Sequence, residues 1–222
     1  MKDLSPLHVT LSKRIGKGAN SACYTIKENN KEVVIILNNQ WAKGEVNQNQ
    51  LRDYKEQVVI EKQLPSHTRL ARTKKIGSIK IGNKDYVGLL QEKASGKEIH
   101  QQKEDYTTWK ENITILVQAP QKHYNKLIET QIELNKVGLN IDPSKPTNFF
   151  YDSEEGFTII DIGASLGERQ SFKVPFIHTT LLNYFAEKIK QDDQTRQKIN
   201  TVLEKLNKAG DKGKNPLTTF GL

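Results

Sequence analysis

"NIDPSKPTNFFYDSEEGFTIIDIG", residues 140–163, decides how this chain is read. Two short apolar runs, Asn148–Tyr151 and Phe157–Asp161, are separated by the polar stretch Asp152–Gly156, which reads as a β-hairpin. Asp142, Lys145, Asn148 and Asp161 stand on or beside it. Asn and Asp on a short hairpin offer hard oxygen ligands suited to Mg²⁺ held together with phosphate oxygens. An Asp on the loop before them can orient or deprotonate a hydroxyl. A Lys beside that Asp can neutralise charge on a transferring phosphoryl group. Together these residue types suit phosphoryl transfer, where positioning and electrostatics supply most of the acceleration.

The preceding segment Gln121–Val137 places Tyr124, Leu127, Ile128 and Ile132 at helical spacing, with Gly138 as the residue that ends it. Tyr106–Val117 reads as a further helix, as do Ile177–Lys190 and Gln194–Asn207 in the tail. The N-terminal third is different. His8–Ile15, Ser21–Lys27 and Glu32–Leu37 read as strands, with a turn at Glu28-Asn29-Asn30. Lys75–Ile81 and Asp85–Gln91 are two more strands joined at Gly82-Asn83. Between these groups Glu45–Leu64 has helical character, with Leu51, Tyr54, Val58 and Glu61 near one face and Pro65 to stop it.

The chain has 222 residues, enough for one sizeable domain or two small lobes. At 35% hydrophobic and 27% charged residues it suits a soluble globular protein, and its longest apolar runs, such as Val33–Leu37, are too short to span a bilayer. Met1–Ser12 has no apolar signal-peptide core. Cys23 is the single cysteine, so no intrachain disulfide is possible and a reducing compartment fits. The excess of 34 basic over 26 acidic residues, formally +8, favours polyanions. Its lysines are spread along the chain, and no nucleic-acid-binding motif supports that use. The five histidines have no metal-ligand spacing, and Trp41 and Trp109 read as packing anchors.

"D-P-S-K-P-T-N-F-F-Y-D…F-T-I-I-D-I-G" resembles the catalytic loop H-R-D-L-K-P-x-N and the D-F-G metal segment of the protein-kinase-like superfamily. Asn148 follows Lys145 by three residues and Asp161 follows Asn148 by thirteen, as in kinases. "R-I-G-K-G-A-N-S-A" is similar to the glycine-rich loop, with Gly16 and Gly18 kept and Ser21 in the third glycine's place. Glu45–Leu64 takes the place of the family's αC helix, and "V-G-L-L-Q-E-K-A-S-G-K-E-I" that of its hinge.

The resemblance implies an α+β, two-lobed protein-kinase-like fold. Residues 1–92 would form a five-stranded antiparallel N-lobe with one helix, and 93–97 the hinge. Residues 98–210 would form a reduced helical C-lobe, and 211–222 a tail. It implies a catalytic Asp142 and Lys145 and a metal pair, Asn148 and Asp161, with ATP and Mg²⁺ as cofactors. Nucleotide contacts would come from Gly16, Lys17, Gly18, Ser21, Lys27, Glu56, Glu92 and Ala94 as well as Asn148 and Asp161, with Glu61 the rival of Glu56.

Four departures qualify the match. Ile36 stands where V-A-I-K would put its lysine, so Lys27, Lys17 or Lys43 would have to substitute. Asn140-Ile141 replaces His-Arg ahead of the catalytic Asp. One extra residue, in a stretch containing Pro143, separates Asp142 from Lys145. No A-P-E follows Gly163.

The expected function is an atypical Mg·ATP-dependent protein kinase acting on Ser or Thr rather than Tyr. Its size and parts resemble the minimal kinases that bacterial pathogens deliver as effectors. Its partner would be a protein substrate or host-cell protein, and its place the cytoplasm or a host cytosol. The alternatives are a pseudokinase serving as a binding or regulatory module and, below it, a small-molecule kinase.

Overall fold

A computed structural model describes residues 4–17, 21–37, 48–99, 105–141, 148–160, 162–164 and 184–212. The chain divides into two compact units, Met1–Leu64 with Ala71–Lys93, and Pro65–Leu70 with Ala94–Leu222.

Among the described residues, the first unit is a five-stranded antiparallel sheet with one helix. Its strands are β1 Leu11–Lys17, β2 Ser21–Ile26, β3 Asn29–Leu37, β4 Thr73–Ile81 and β5 Lys84–Glu92, in spatial order β1-β2-β3-β5-β4. Runs of Val and Ile favour the pleated, half-buried state. Gly82, at φ +60°, opens the two-residue turn that pairs Ile81 with Lys84. The β2–β3 turn falls at Lys27-Glu28, earlier than the sequence suggested, because Ile26 already pairs with Asn29. Asn29 still does turn work, its side-chain oxygen accepting from Lys31 N–H at 3.1 Å across the irregular step that follows.

Alternation assigns the two faces of this sheet. Val34 and Ile36 join Ile26 and Ile79 in one buried cluster. Leu37 packs on a second cluster, Leu4, Leu51 and Val87, that includes helix α1, Gln48–Glu61. The helix stops at Glu61, short of Leu64, and a turn carries the chain to Pro65. The N-terminal segment wraps the sheet edge: Leu7 N–H donates to Ser78 C=O, and Ser78 N–H to Ser5 C=O.

The second unit is more helical. Helix α2, Tyr106–Gln118, is capped by Asp105, which accepts from Thr108 N–H at 2.9 Å. It buries Trp109, Ile113 and Leu116. Helix α3, Gln121–Lys136, buries Tyr124, Leu127, Ile128 and Leu134, and Gly138 at φ +76° follows it as the terminating residue. The short α4, Ala186–Lys190, and the long α5, Asp193–Lys212, complete the helices among the described residues. Ile199, Val202, Leu206 and Ala209 form the buried stripe of α5.

The strands of this unit are short: β6 Lys97–Glu98, β7 Leu139–Ile141, β8 Phe149–Asp152, β9 Gly156–Ile159 and β10 Ile162–Ala164. They form a three-stranded sheet, β6-β8-β9, and a ribbon, β10-β7. Trp109 is fully buried against Tyr106 and Phe185, a packing anchor as its sequence setting implied. No helix among the described residues is long and apolar enough to cross a membrane.

Candidate functional site

The hairpin that the sequence indicates is β8–β9, with Phe149 opposite Ile159 and Asp152 opposite Gly156. Asp152 shapes the turn by accepting from Glu154 and Glu155 N–H at 2.9 and 3.0 Å. Those bonds to the ionised form hold the Asp152 carboxyl below the usual carboxylate range. At the open end of the hairpin the Asn148 carbonyl accepts from Ile160 N–H at 2.8 Å, and Asn148 is only 2% exposed. Two residues on, Ile162 of β10 stands opposite Ile141 of β7, with Gly163 opposite Asn140.

Asn148 is therefore bonded to the residue before Asp161, and Ile141, the residue before Asp142, is paired with the residue after Asp161. Asp142, Lys145 and Asp161 themselves lie outside the described residues, as does Gly18. Among the described residues no group of three or more His, Cys, Asp or Glu side chains could hold a metal ion. Of the expected metal pair, Asn148 alone is described, and its amide oxygen is the hard, neutral donor that Mg²⁺ accepts.

The turn of the hairpin is tied down within the same unit. Arg69 Nη2 and Ser95 Oγ both donate to Glu155 Oε2, at 2.9 and 2.8 Å, and these bonds lower the Glu155 pKa. Arg69 N–H donates to Thr130 Oγ1 of α3, and its carbonyl accepts from Ile159 N–H. His123 of α3, 5% exposed, sets Nδ1 3.2 Å from Tyr151 Oη. It is a packing residue, while His8 and His67 are exposed.

In the first unit the expected nucleotide residues are spread out. Gly16 is inside β1 opposite Cys23, where an added Cβ would make an ordinary 3.6 Å contact, so this position does not itself require glycine. Lys17 ends β1 and Ser21, half-buried, begins β2. Lys27 is exposed on the turn at the other end of β2, and six residues of strand put it roughly 20 Å from Ser21. It therefore cannot serve phosphates held at the Gly16–Ser21 end. Ile36 points away from α1, into the cluster of Ile26, Val34 and Ile79, whereas Leu37 is on the α1 side. The face that a helix-facing lysine would need on β3 belongs to Leu37, one residue further on. Cys23, half-buried, has its thiol pushed up to about 11 by burial, which leaves it un-ionised at neutral pH.

Of the two glutamates on α1 that could face a nucleotide, Glu56 is exposed and Glu61 is 1% exposed. Glu61 Oε1 accepts from Gln57 Nε2 at 2.8 Å and Oε2 from Thr73 N–H at 2.6 Å. Burial raises its pKa, opposed by those bonds and by the charge of Arg72. Arg72 Nη1 donates to the Glu61 and Leu64 carbonyls at 3.0 and 3.1 Å. The backbone of Arg72 is held by Glu92: its N–H donates to Glu92 Oε2 at 3.3 Å, and its carbonyl accepts from Glu92 N–H at 2.9 Å. Lys93 N–H donates to the Lys31 carbonyl at 2.8 Å, and Ala94, half-buried, opens the second unit's main segment. Nothing in the sequence marks Arg72 or Thr73, since neither belongs to a periodic or motif-bearing stretch.

No protein-family model matches the chain, and no curated protein matches it either.

Proposed function

We propose that this chain is an atypical, reduced member of the protein-kinase-like superfamily, a Mg·ATP-dependent phosphotransferase acting on a protein Ser or Thr hydroxyl. The observation that carries the reading is the pairing of Ile141 with Ile162 beside the bond from Ile160 to Asn148. Ile141 and Ile162, which flank Asp142 and Asp161 in the sequence, are register partners, and Asn148 is bonded to Ile160; these two backbone links support the reading of the segment as a catalytic loop followed by a metal segment. The antiparallel five-stranded unit with helix α1, followed by a more helical unit, supports the same reading.

In this proposal Asn148 and Asp161 would hold Mg²⁺, which supplies charge neutralisation on the nucleotide's phosphates. Asp142 orients the acceptor hydroxyl, and Lys145 offsets charge on the phosphoryl group. The acceptor would be a protein, in the host cytosol if the chain is an effector.

A second reading has its own observation. Leu37 and not a lysine occupies the α1-facing position on β3, and Lys27 stands at the wrong end of β2 to replace it. A nucleotide-binding or protein-binding module that transfers nothing would have that character.

The test is incubation with Mg²⁺ and γ-labelled ATP beside Asp161→Ala. Label on the protein or an added acceptor, lost in the variant, supports transfer. Mg·ATP binding by the unaltered chain without label, under the same conditions and with several acceptors, supports the second reading. Absence of both binding and label sinks the transferase and the nucleotide-binding form of the second reading, and leaves the protein-binding module.

A further inference from the structure

Arg72 and Thr73, adjacent at the start of β4, each hold the end of α1 on one side and the end of β5 on the other. Arg72 reaches the end of α1 through its guanidinium, which donates to the Glu61 carbonyl, shared with Leu64 N–H, and to the Leu64 carbonyl just past the helix, and is gripped by Glu92 through its backbone. Thr73 reaches α1 through its N–H, bonded to Glu61 Oε2, and its hydroxyl accepts a longer contact, 3.5 Å, from Gln91 Nε2. The last turn of a helix has carbonyls with no intrahelical partner, so a donor fixed from outside sets where that turn can stand. Glu61 is buried, so moving it costs the desolvated carboxylate its partners, a far larger penalty than moving a surface acid. The two rungs make the end of α1 and residues Gln91–Glu92 one mechanical piece.

We infer that Arg72 is a positioning residue that couples α1 to nucleotide held at the Glu92 end of β5. The inference rests on the reading of Glu92 as part of a nucleotide site. A ligand that restrains Glu92 restrains Arg72, and through it the carbonyls of Glu61 and Leu64, so that α1 becomes more ordered. By reciprocity, freeing α1 weakens nucleotide binding by the same factor. This route uses hydrogen bonds behind the helix and needs no lysine on β3, which the sequence lacks there. Glu56, exposed on the opposite side of the last turns, takes no part.

The experiment is amide hydrogen exchange over residues 48–61 of the full chain, with and without saturating Mg·ATP, alongside Mg·ATP affinity by calorimetry. In the unaltered chain, nucleotide should slow exchange in α1 about fivefold or more. In Arg72→Met, affinity should fall severalfold and exchange in α1 should no longer respond to nucleotide. Arg72→Lys, which can still donate to carbonyls, should recover part of the response. A purely structural role would raise exchange in the variant equally with and without nucleotide, and that result overturns the inference. Binding by the unaltered chain with no change in α1 also overturns it, whether or not Arg72→Met folds. If the unaltered chain binds no Mg·ATP, the nucleotide-site reading fails and this inference falls with it.

Discussion

Lys205 of α5 donates its ammonium to the Ala119 carbonyl at 2.7 Å and to the Val117 carbonyl, closing the C-terminal end of α2 from a different helix. Its Nζ also stands 5.8 Å from the centre of the Tyr124 ring, and its own carbonyl accepts from Gln121 Nε2 at 2.8 Å. One lysine thus joins α2, α3 and α5. Lys205→Met keeps most of the stem and deletes the donors, so it should cost about 1–3 kcal/mol, the scale of charge-assisted hydrogen bonds. Chemical denaturation checks the figure. A loss no greater than that of Lys208→Met, at an exposed position on the same helix, would show that the cap contributes nothing.

Gly77 and Gly88 are register partners on β4 and β5, and Leu7 fills the slot they leave. A Cβ on Gly77 would fall 2.5 Å from the Ser5 carbonyl oxygen and 2.7 Å from Leu7 Cγ. The Ser5 carbonyl cannot retreat without breaking its 3.0 Å bond from Ser78 N–H. Gly77→Ala should therefore destabilise by about 2 kcal/mol or more and speed amide exchange at Leu7 and Ser78. Adding Leu7→Ala relieves only half of the clash, so the double variant should stay below the single Leu7→Ala variant in stability. Gly82→Ala meets open space and pays only for its positive φ, about 1 kcal/mol.

His123 gives the second unit a pH dependence. Its ring lies against Gly156, where a Cβ would be 3.0 Å from His123 Cγ, and it contacts Tyr151 edge-on. Burial, then the charge of Lys122, lower its pKa; the Glu154 carbonyl and Asp152 raise it, and Arg69 lowers it. With the folded value below the ordinary one of about 6.5, the unfolded chain binds more protons in between. The contribution is complete above the ordinary value and is lost as pH falls through the folded one. Stability should decline from pH 7 towards 5, and the decline should be shallower in His123→Gln. Equal slopes would remove His123 as the cause, since Asp152 and Glu155, with lowered values, release their contributions only at more acid pH.

What the sequence reveals follows from period and length. The apolar, β-branched runs of β3, β4 and β5 and the helical spacing of α2 and α3 carry their own signal, and the elements form close to where the residues place them. β6, with two residues, and β7 and β10, with three each, are too short to have a period. They exist because partners distant in sequence complete them, such as Tyr151 for Lys97 and Ile162 for Ile141. Hence the sequence indicates the hairpin but not the ribbon beside it. Glu61 is a similar case: its spacing puts it on the apolar face of α1, but the bonds from Thr73 N–H and Gln57 Nε2 and the charge of Arg72 explain why a carboxylate is tolerated there.

The face of a strand is the least legible quantity, because a shift of one residue reverses it. Motif spacing sets Ile36 at the position of a family lysine, while the packing sets Leu37 on the side of α1. The two positions therefore respond oppositely to the same change. Ile36→Lys buries an ammonium among Ile26, Val34 and Ile79 and should cost about 4 kcal/mol or more, leaving little folded protein. Leu37 is half-buried, and a lysine there can run its stem along the apolar surface with its charge in water, at a cost of about 1–2 kcal/mol. On the kinase reading Leu37→Lys also sets a cation on the α1 side of β3 and should strengthen Mg·ATP binding severalfold. Melting temperatures of the two variants test the assignment of faces, and calorimetry on Leu37→Lys tests the reading. Should Ile36→Lys fold well while Leu37→Lys does not, the faces are reversed and the motif spacing, not the packing, names the lysine position.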